Sequence, residues 1–141
     1  MLNIALERLT PHAGRMRLIA RVQSYDSDCI VCEADSHNAS DNPLREAGVL
    51  AAVCGLEYGA QAMALHGALR AGMARAPGIG YLVSAHELRW QVERLDQLPT
   101  PLVIEARRIL GSDRQVSYQF TLRTSAGDVM HGRASVVLSV P

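Results

Sequence analysis

The chain has 141 residues, of which 48% are hydrophobic and 20% charged, as expected for one folded domain and not for a disordered segment. Fourteen basic residues balance fourteen acidic ones, so the charge argues against a nucleic-acid partner, which selects for a basic surface. The N-terminus lacks the pattern of a secretory signal and the cysteines are odd in number, so we expect a cytoplasmic protein without a disulfide framework.

Two short strands and a loop are predicted in the first third of the chain. Met16 to Val22 and Cys29 to Ala34 resemble strands that flank a turn-rich stretch at residues 24–28. The polar residues from Asp35 to Gly48, which include Asn42-Pro43, predict an ordered loop. This loop leads directly into the most apolar part of the sequence.

A long helix is predicted from about Ala52 to Arg75, with its end set by Pro77-Gly78. Between residues 49 and 69 the only charged residue is Glu57, and this run has about the length that a membrane span needs. The run is rich in alanine and glycine and is too polar for lipid. We therefore expect a helix covered by protein on every side and no membrane span.

The pattern changes to a two-residue period beyond Gly80. Apolar and polar residues alternate at positions 116–122, and Ser125 to Asp128 predict a hairpin turn to a further strand that extends through residues 130–138. Tyr81 to Val92 and Leu102 to Leu110 predict two more strands. The order of strand, strand, helix and four strands predicts an α+β fold, in which a curved antiparallel sheet wraps the long central helix.

Glu57 is the most informative single residue. A carboxylate in a nearly charge-free helix costs several kcal/mol to bury unless it is paired or protonated. Gln61 follows one turn later on the same face and can hydrogen-bond the carboxyl group. Two interpretations stay open at this point, a catalytic acid or a structural acid paired with an arginine.

The histidines differ in what surrounds them. His37 lies in the loop before the helix, and loops placed by a rigid scaffold often carry catalytic groups. His66 lies about half a turn around the helix from Glu57, so we interpret it as structural. His86 and His131 have no neighbours in the sequence that indicate a nucleophile or a metal site.

The spacing Cys29-x-x-Cys32 raises the question of a zinc or redox site. A zinc site needs further ligands, and the chain has no second pair of this kind. Residues three apart in a strand point to opposite faces, so we expect no metal at these cysteines.

The motifs resemble those of the beta-hydroxyacyl carrier-protein dehydratases, which have the hotdog fold. The segment Gly55-Leu56-Glu57-Tyr58 with Gln61 is similar to the Ile-Glu-x-x-x-Gln segment of their central helix. Ser36-His37 followed by Asn42-Pro43 occupies the place of their Gly-His-Phe-Pro motif and Asn-Pro. Together with the Leu-Thr-Pro-His string at residues 9–12, the match resembles the divergent 3-hydroxyacyl carrier-protein dehydratases of bacterial aryl polyene gene clusters.

The resemblance implies a single hotdog domain over residues 1–141 that dehydrates 3-hydroxyacyl thioesters to trans-2-enoyl thioesters, in fatty acid or aryl polyene biosynthesis. His37 would remove the proton at carbon 2, and Glu57 would protonate the departing hydroxyl group. Gln61 and the backbone N–H groups at the helix start, at Ala52 and Val53, would bind and orient the thioester.

The resemblance also implies the partners. No cofactor or metal is expected, because the acyl group would arrive on the phosphopantetheine of an acyl carrier protein. A homodimer, or a heterodimer with a second hotdog subunit, would place the histidine of one subunit opposite the acid of the other. Two alternatives remain, a hotdog acyl thioesterase and a non-catalytic subunit that completes a partner's dimer.

Overall fold

One helix packs on a six-stranded antiparallel sheet. The computed structural model describes residues 14–70, 80–112 and 115–138. The helix α1 spans Gly55–Arg70, and the strands are β1 (Arg21–Tyr25), β2 (Cys29–Ala34), β3 (Gly80–Trp90), β4 (Leu102–Gly111), β5 (Gln115–Thr124) and β6 (Gly127–Leu138). The strand order is β1-β2-β4-β5-β6-β3, and every neighbouring pair is antiparallel. This arrangement confirms the predicted α+β fold.

The core lies between α1 and the central strands. Alternate residues of β5 are buried as the two-residue period predicted, including Tyr118 and Phe120. Gly59 of α1 faces Phe120, and a Cβ atom there would lie 2.8 Å from the Phe120 ring. The absence of a side chain at Gly59 therefore lets the helix approach the sheet closely.

The first strand begins later than predicted. Residues Gly14–Met16 form a short 3-10 turn, and β1 starts at Arg21 instead of Met16. The reason is a side chain from the helix, because the Gln61 amide binds the backbone of Met16 and Leu18 and so occupies groups that a strand ladder would use. At its other end β1 extends to Tyr25, two residues into the stretch predicted as a turn.

The helix also begins later than predicted. Ala52–Cys54 form a 3-10 turn before α1 starts at Gly55. The Ala52 N–H donates to the Glu93 carbonyl over 3.0 Å, which ties this turn to the segment after β3. The predicted continuation to Arg75 lies outside the described residues. Within the described ranges, no helix is long and apolar enough to cross a membrane.

The remaining strands differ from the predictions only at their ends. β3 ends at Trp90 instead of Val92, and β4 extends one residue further than predicted, to Gly111. The predicted hairpin turn joins β5 to β6 through Ser125 and Ala126. Gly127 follows with φ of 130°, a conformation that a residue with a side chain rarely adopts.

Candidate active site

Glu57 lies on a half-buried face of α1. The half-buried residues of the helix recur every three or four positions and so form one stripe, comprising Leu56, Glu57, Ala60, Ala64 and Gly67. Most members of the stripe are small, which leaves space along the helix beside the carboxylate. Glu57 is half-buried and belongs to the first turn of α1.

Gln61 holds Glu57 and the N-terminal segment together. Its Nε2 donates to Met16 O over 2.7 Å and to Glu57 Oε1 over 3.3 Å, while its Oε1 accepts the Leu18 N–H over 2.9 Å. The predicted hydrogen bond between Gln61 and Glu57 is thus present. Both N–H bonds of the Gln61 amide are used inside the chain, and one of them holds the Glu57 carboxyl group in place. Contact between Gln61 and a substrate stays a prediction.

His37 is completely buried in the 3-10 turn Ser36–Asn38. Its Nε2 lies 3.0 Å from the carbonyl oxygen of Pro99, in the connection between β3 and β4. Because a carbonyl oxygen only accepts, this contact places a hydrogen on Nε2, and the neutral tautomer that fits it has its lone pair on Nδ1. Nδ1 is buried and has no hydrogen-bond partner among the described residues. The arrangement leaves a proton acceptor in place at Nδ1.

The residues that flank His37 are attached to the helix through Tyr58. The Tyr58 hydroxyl lies 2.8 Å from Ser36 Oγ and accepts an N–H from Asn42 Nδ2 over 3.1 Å. Tyr58 is completely buried, and burial raises the pKa of its hydroxyl, which stays neutral. The histidine loop is therefore fastened to the same helical turn that carries Glu57.

The helix start offers one unoccupied backbone donor. The Ala52 N–H already donates to Glu93 O. The Val53 N–H has no acceptor within the described part of the chain, and the Val53 side chain is half exposed. Of the two predicted thioester contacts, Val53 therefore has the available N–H, and contact of either residue with a substrate stays a prediction.

Taken together, the predicted site residues form two connected groups. Glu57 and Gln61 are in contact, and Tyr58 links their helix to the loop of His37. His37 and Glu57 do not hydrogen-bond each other within one chain. Sequence reasoning missed Tyr58, although it stands next to Glu57 in the motif. It also missed Pro99, whose role depends on a carbonyl group that every residue has.

His66 is confirmed on a different face, in a network of its own. Its Nδ1 lies 2.7 Å from the Tyr118 hydroxyl and its Nε2 lies 2.8 Å from Asp26 O. Burial lowers the pKa of His66 and raises that of Tyr118 to about 12, so both groups are neutral. The two rings meet edge to face. Every polar atom of the His66 ring has a partner, as expected of a structural histidine.

The cysteines of β2 lie on opposite faces of the strand, as predicted. Cys32 is buried and Cys29 is half-buried. Burial raises the pKa of both thiols, to about 12 for Cys32, so neither is an activated nucleophile. In the portion of the chain that the structure covers, no group of three or more His, Cys, Asp or Glu residues could hold a metal ion.

Three solved structures show the same fold. The dehydratase heterocomplex ApeI:P from Xenorhabdus doucetiae matches with a TM-score of 0.85 at 20% identity, covering 99% of this chain and 93% of that one. AziG from S. sahachiroi matches with a TM-score of 0.60 at 17% identity, covering 93% and 98%. A hypothetical thioesterase with coenzyme A from Streptococcus pneumoniae matches with a TM-score of 0.61 at 12% identity, covering 84% of each chain.

The family comparison is more specific than these structural matches. No curated protein sequence matches the chain significantly. The family described as ApeP-like, ApeP dehydratase, matches residues 4–140. The resemblance found in the motifs is thereby confirmed. Because the match extends over nearly the whole sequence, this hotdog chain belongs to the ApeP-like dehydratase family.

Proposed function

We propose that this chain catalyses the dehydration of a 3-hydroxyacyl thioester carried on the phosphopantetheine of an acyl carrier protein. The observation that carries the proposal is the hydrogen bonding of His37, whose Nε2–H is held by Pro99 O while Nδ1 has no partner among the described residues. An imidazole held in this tautomer can act as a general base through Nδ1. The half-buried carboxyl group of Glu57 supplies the complementary acid.

The reaction requires one proton to leave and one to arrive. His37 Nδ1 takes a proton from carbon 2, the carbon–carbon double bond forms, and the bond from carbon 3 to the hydroxyl group breaks. Glu57 gives its proton to the departing hydroxyl group, so the products are a trans-2-enoyl thioester and water. The Val53 N–H is placed to stabilise the negative charge that develops on the thioester oxygen.

The complete site is proposed to need two subunits. His37 and Glu57 of one chain make no hydrogen bond to each other, which is compatible with each working opposite a residue of a partner. β3 is an edge strand whose residues 85–87 and 89–90 are exposed, and such an edge can accept a second subunit. The likeness to a dehydratase heterocomplex supports a second hotdog subunit as that partner.

A second candidate function follows from the burial of His37. A histidine with no exposed surface in its own chain suits a non-catalytic subunit, in which the loop is a structural part of the dimer. In that case Glu57 alone, or neither residue, would act on substrate. The two candidates differ in whether His37 is needed for turnover.

One assay separates these functions and the thioesterase alternative. The purified protein is incubated with a 3-hydroxyacyl and with an enoyl carrier-protein thioester, alone and with a second hotdog subunit. A change in enoyl absorbance that is lost in His37→Ala supports dehydration by this chain. Release of free thiol indicates a thioesterase, and full turnover by a His37→Ala complex indicates the non-catalytic subunit.

A further inference from the structure

We infer that Tyr58 is a positioning residue, whose buried hydroxyl group fixes the His37 loop against the helical turn that carries Glu57. The inference rests on the proposed function, because it assigns Tyr58 a role in the step that His37 performs. Tyr58 is completely buried, and its hydroxyl group contacts residues on both sides of His37 in the chain, Ser36 and Asn42.

The hydrogen bonds of this network have one possible direction. Ser36 Oγ lies 2.7 Å from the Leu18 carbonyl oxygen, which can only accept, so the serine hydroxyl donates there. The Tyr58 hydroxyl must then donate to Ser36 Oγ, and it accepts from the Asn42 amide. The chain therefore runs from Asn42 through Tyr58 and Ser36 to Leu18. Each group polarises the next, which strengthens such a chain beyond its separate bonds.

Asn42 closes the loop that contains His37. Its Nδ2 also donates to Ser36 O over 2.9 Å, and its Oδ1 accepts the Leu44 N–H over 2.9 Å. Three of its hydrogen bonds are thus made at once, two of them to residues that bracket His37. The Tyr58 hydroxyl is the point at which this loop is attached to α1.

The far side of the loop is attached to the connection between β3 and β4. His37 Nε2 meets Pro99 O, and Asn38 Nδ2 donates to Asp96 O over 3.1 Å and to Leu98 O over 2.9 Å. These bonds orient the imidazole but come from a segment other than the helix. Tyr58 supplies the attachment on the helix side, and so sets the position of His37 relative to the helix and to Glu57.

Loss of the Tyr58 hydroxyl group removes two bonds at one point. In Tyr58→Phe the Asn42 amide loses an acceptor and Ser36 Oγ loses a donor, while the ring and its packing stay. A displacement of a catalytic group by about 1 Å can reduce a rate by about 100-fold. We expect kcat of Tyr58→Phe to fall at least about tenfold, with KM changed by less than about threefold.

The experiment compares Tyr58→Phe with Tyr118→Phe. Both variants remove the hydroxyl group of a buried tyrosine. The Tyr118 hydroxyl, however, is hydrogen-bonded to His66 and not to the His37 loop. Turnover of the carrier-protein substrate, its pH profile and the thermal midpoint are measured for each variant in the same complex. We expect similar thermal shifts, a reduced kcat and an altered pH profile for Tyr58→Phe only.

A spectroscopic measurement tests the inference if the protein shows no turnover or if one variant folds poorly. In ¹⁵N-labelled protein, the ring nitrogen signals of His37 report whether Nε2 keeps its hydrogen. These signals should change in Tyr58→Phe but not in Tyr118→Phe. If Tyr58→Phe does not fold and Ser36→Ala does, the change should be seen in Ser36→Ala. Unchanged signals overturn the inference.

The kinetic outcomes separate this inference from the proposed function. Equal kcat values for Tyr58→Phe and Tyr118→Phe, combined with an inactive His37→Ala, overturn the inference and leave the proposed function in place. Full activity of His37→Ala overturns both.

Discussion

Two buried histidines of this chain are alike in the contact of Nε2 and differ in the contact of Nδ1. His37 and His66 are both without exposed surface, and each has its Nε2 within 3.0 Å of a backbone carbonyl oxygen. His66 Nδ1 meets the Tyr118 hydroxyl, whereas His37 Nδ1 meets no partner among the described residues. Since an unmet buried lone pair costs stability, its retention at His37 is compatible with use by a substrate.

The elements that carry the two histidines differ in the same way. His66 is on the rigid helix, and its partners fix every polar atom of the ring. His37 lies in a loop that side chains attach at two ends, through Tyr58 and through Pro99. The two histidines are therefore distinguished by which of their ring nitrogens have partners among the described residues, and not by burial.

The largest expected effect is on turnover at the His37 site. His37→Ala and Glu57→Gln should each reduce kcat by at least ~100-fold, because each removes a general acid or base. The double variant should be scarcely worse than either single one, since residues that act in one step are not additive. Steady-state kinetics of the three variants checks this. Independent, multiplying losses would contradict a shared step.

The converse is expected at His66. His66→Ala should lower the free energy of unfolding by about 2 kcal/mol, because it leaves the Tyr118 hydroxyl and the Asp26 carbonyl without their buried partner. Turnover should stay within about tenfold of the wild type, a change too small for a lost acid or base. Urea denaturation and kinetics measure the two quantities. His131→Ala, at an exposed position of β6, is the control, with an expected change within about 0.5 kcal/mol.

The features that could be predicted from the sequence are those between residues close together in the chain. Glu57 and Gln61 are one helical turn apart, so their contact follows from the helix period. The opposite placement of His66 follows from the same period. The strand β5 was predicted because its alternation is set by residues adjacent in the chain.

The parts that the sequence did not predict depend on contacts between distant residues. Gln61 binds Leu18, 43 positions away, and this contact delays the start of β1. His37 binds a backbone carbonyl 62 positions away, which no side-chain pattern marks. Periodicity carries no information on such pairs. The state of each histidine nitrogen, which distinguishes the two sites, therefore had to come from the structure.

A smaller effect is expected when His66 is given the hydrogen-bonding state of His37. Tyr118→Phe removes the donor to His66 Nδ1 and gives His66 the same half-partnered state as His37. We expect a loss of about 1 kcal/mol of stability and no change in turnover, because His66 has no acid beside it on its helix face. Denaturation and kinetics of the variant test both statements. A new activity or a large loss of the existing one would show that position in the fold does not separate the two histidines.

The smallest expected effect is the contribution of His66 to the dependence of stability on pH. Burial lowers the pKa of His66 below its ordinary value of 6.5, with Arg70 acting in the same direction and the Asp26 carbonyl opposing it. Below pH 6.5 the unfolded chain therefore binds a proton that the folded chain does not. Stability is full above that pH and decreases as the pH falls from 6.5 to the lower, folded pKa.

The variant His66→Gln should lose this slope while remaining less stable at every pH. Urea denaturation between pH 5 and 8 measures it for both proteins. The carboxylates of Asp26 and Asp96, whose pKa values are lowered by hydrogen bonds, act below their ordinary value of 3.8 and so outside this range. An equal slope in His66→Gln would assign the pH dependence to another group, and His37, the other buried histidine among the described residues, would be the next to test by the same substitution.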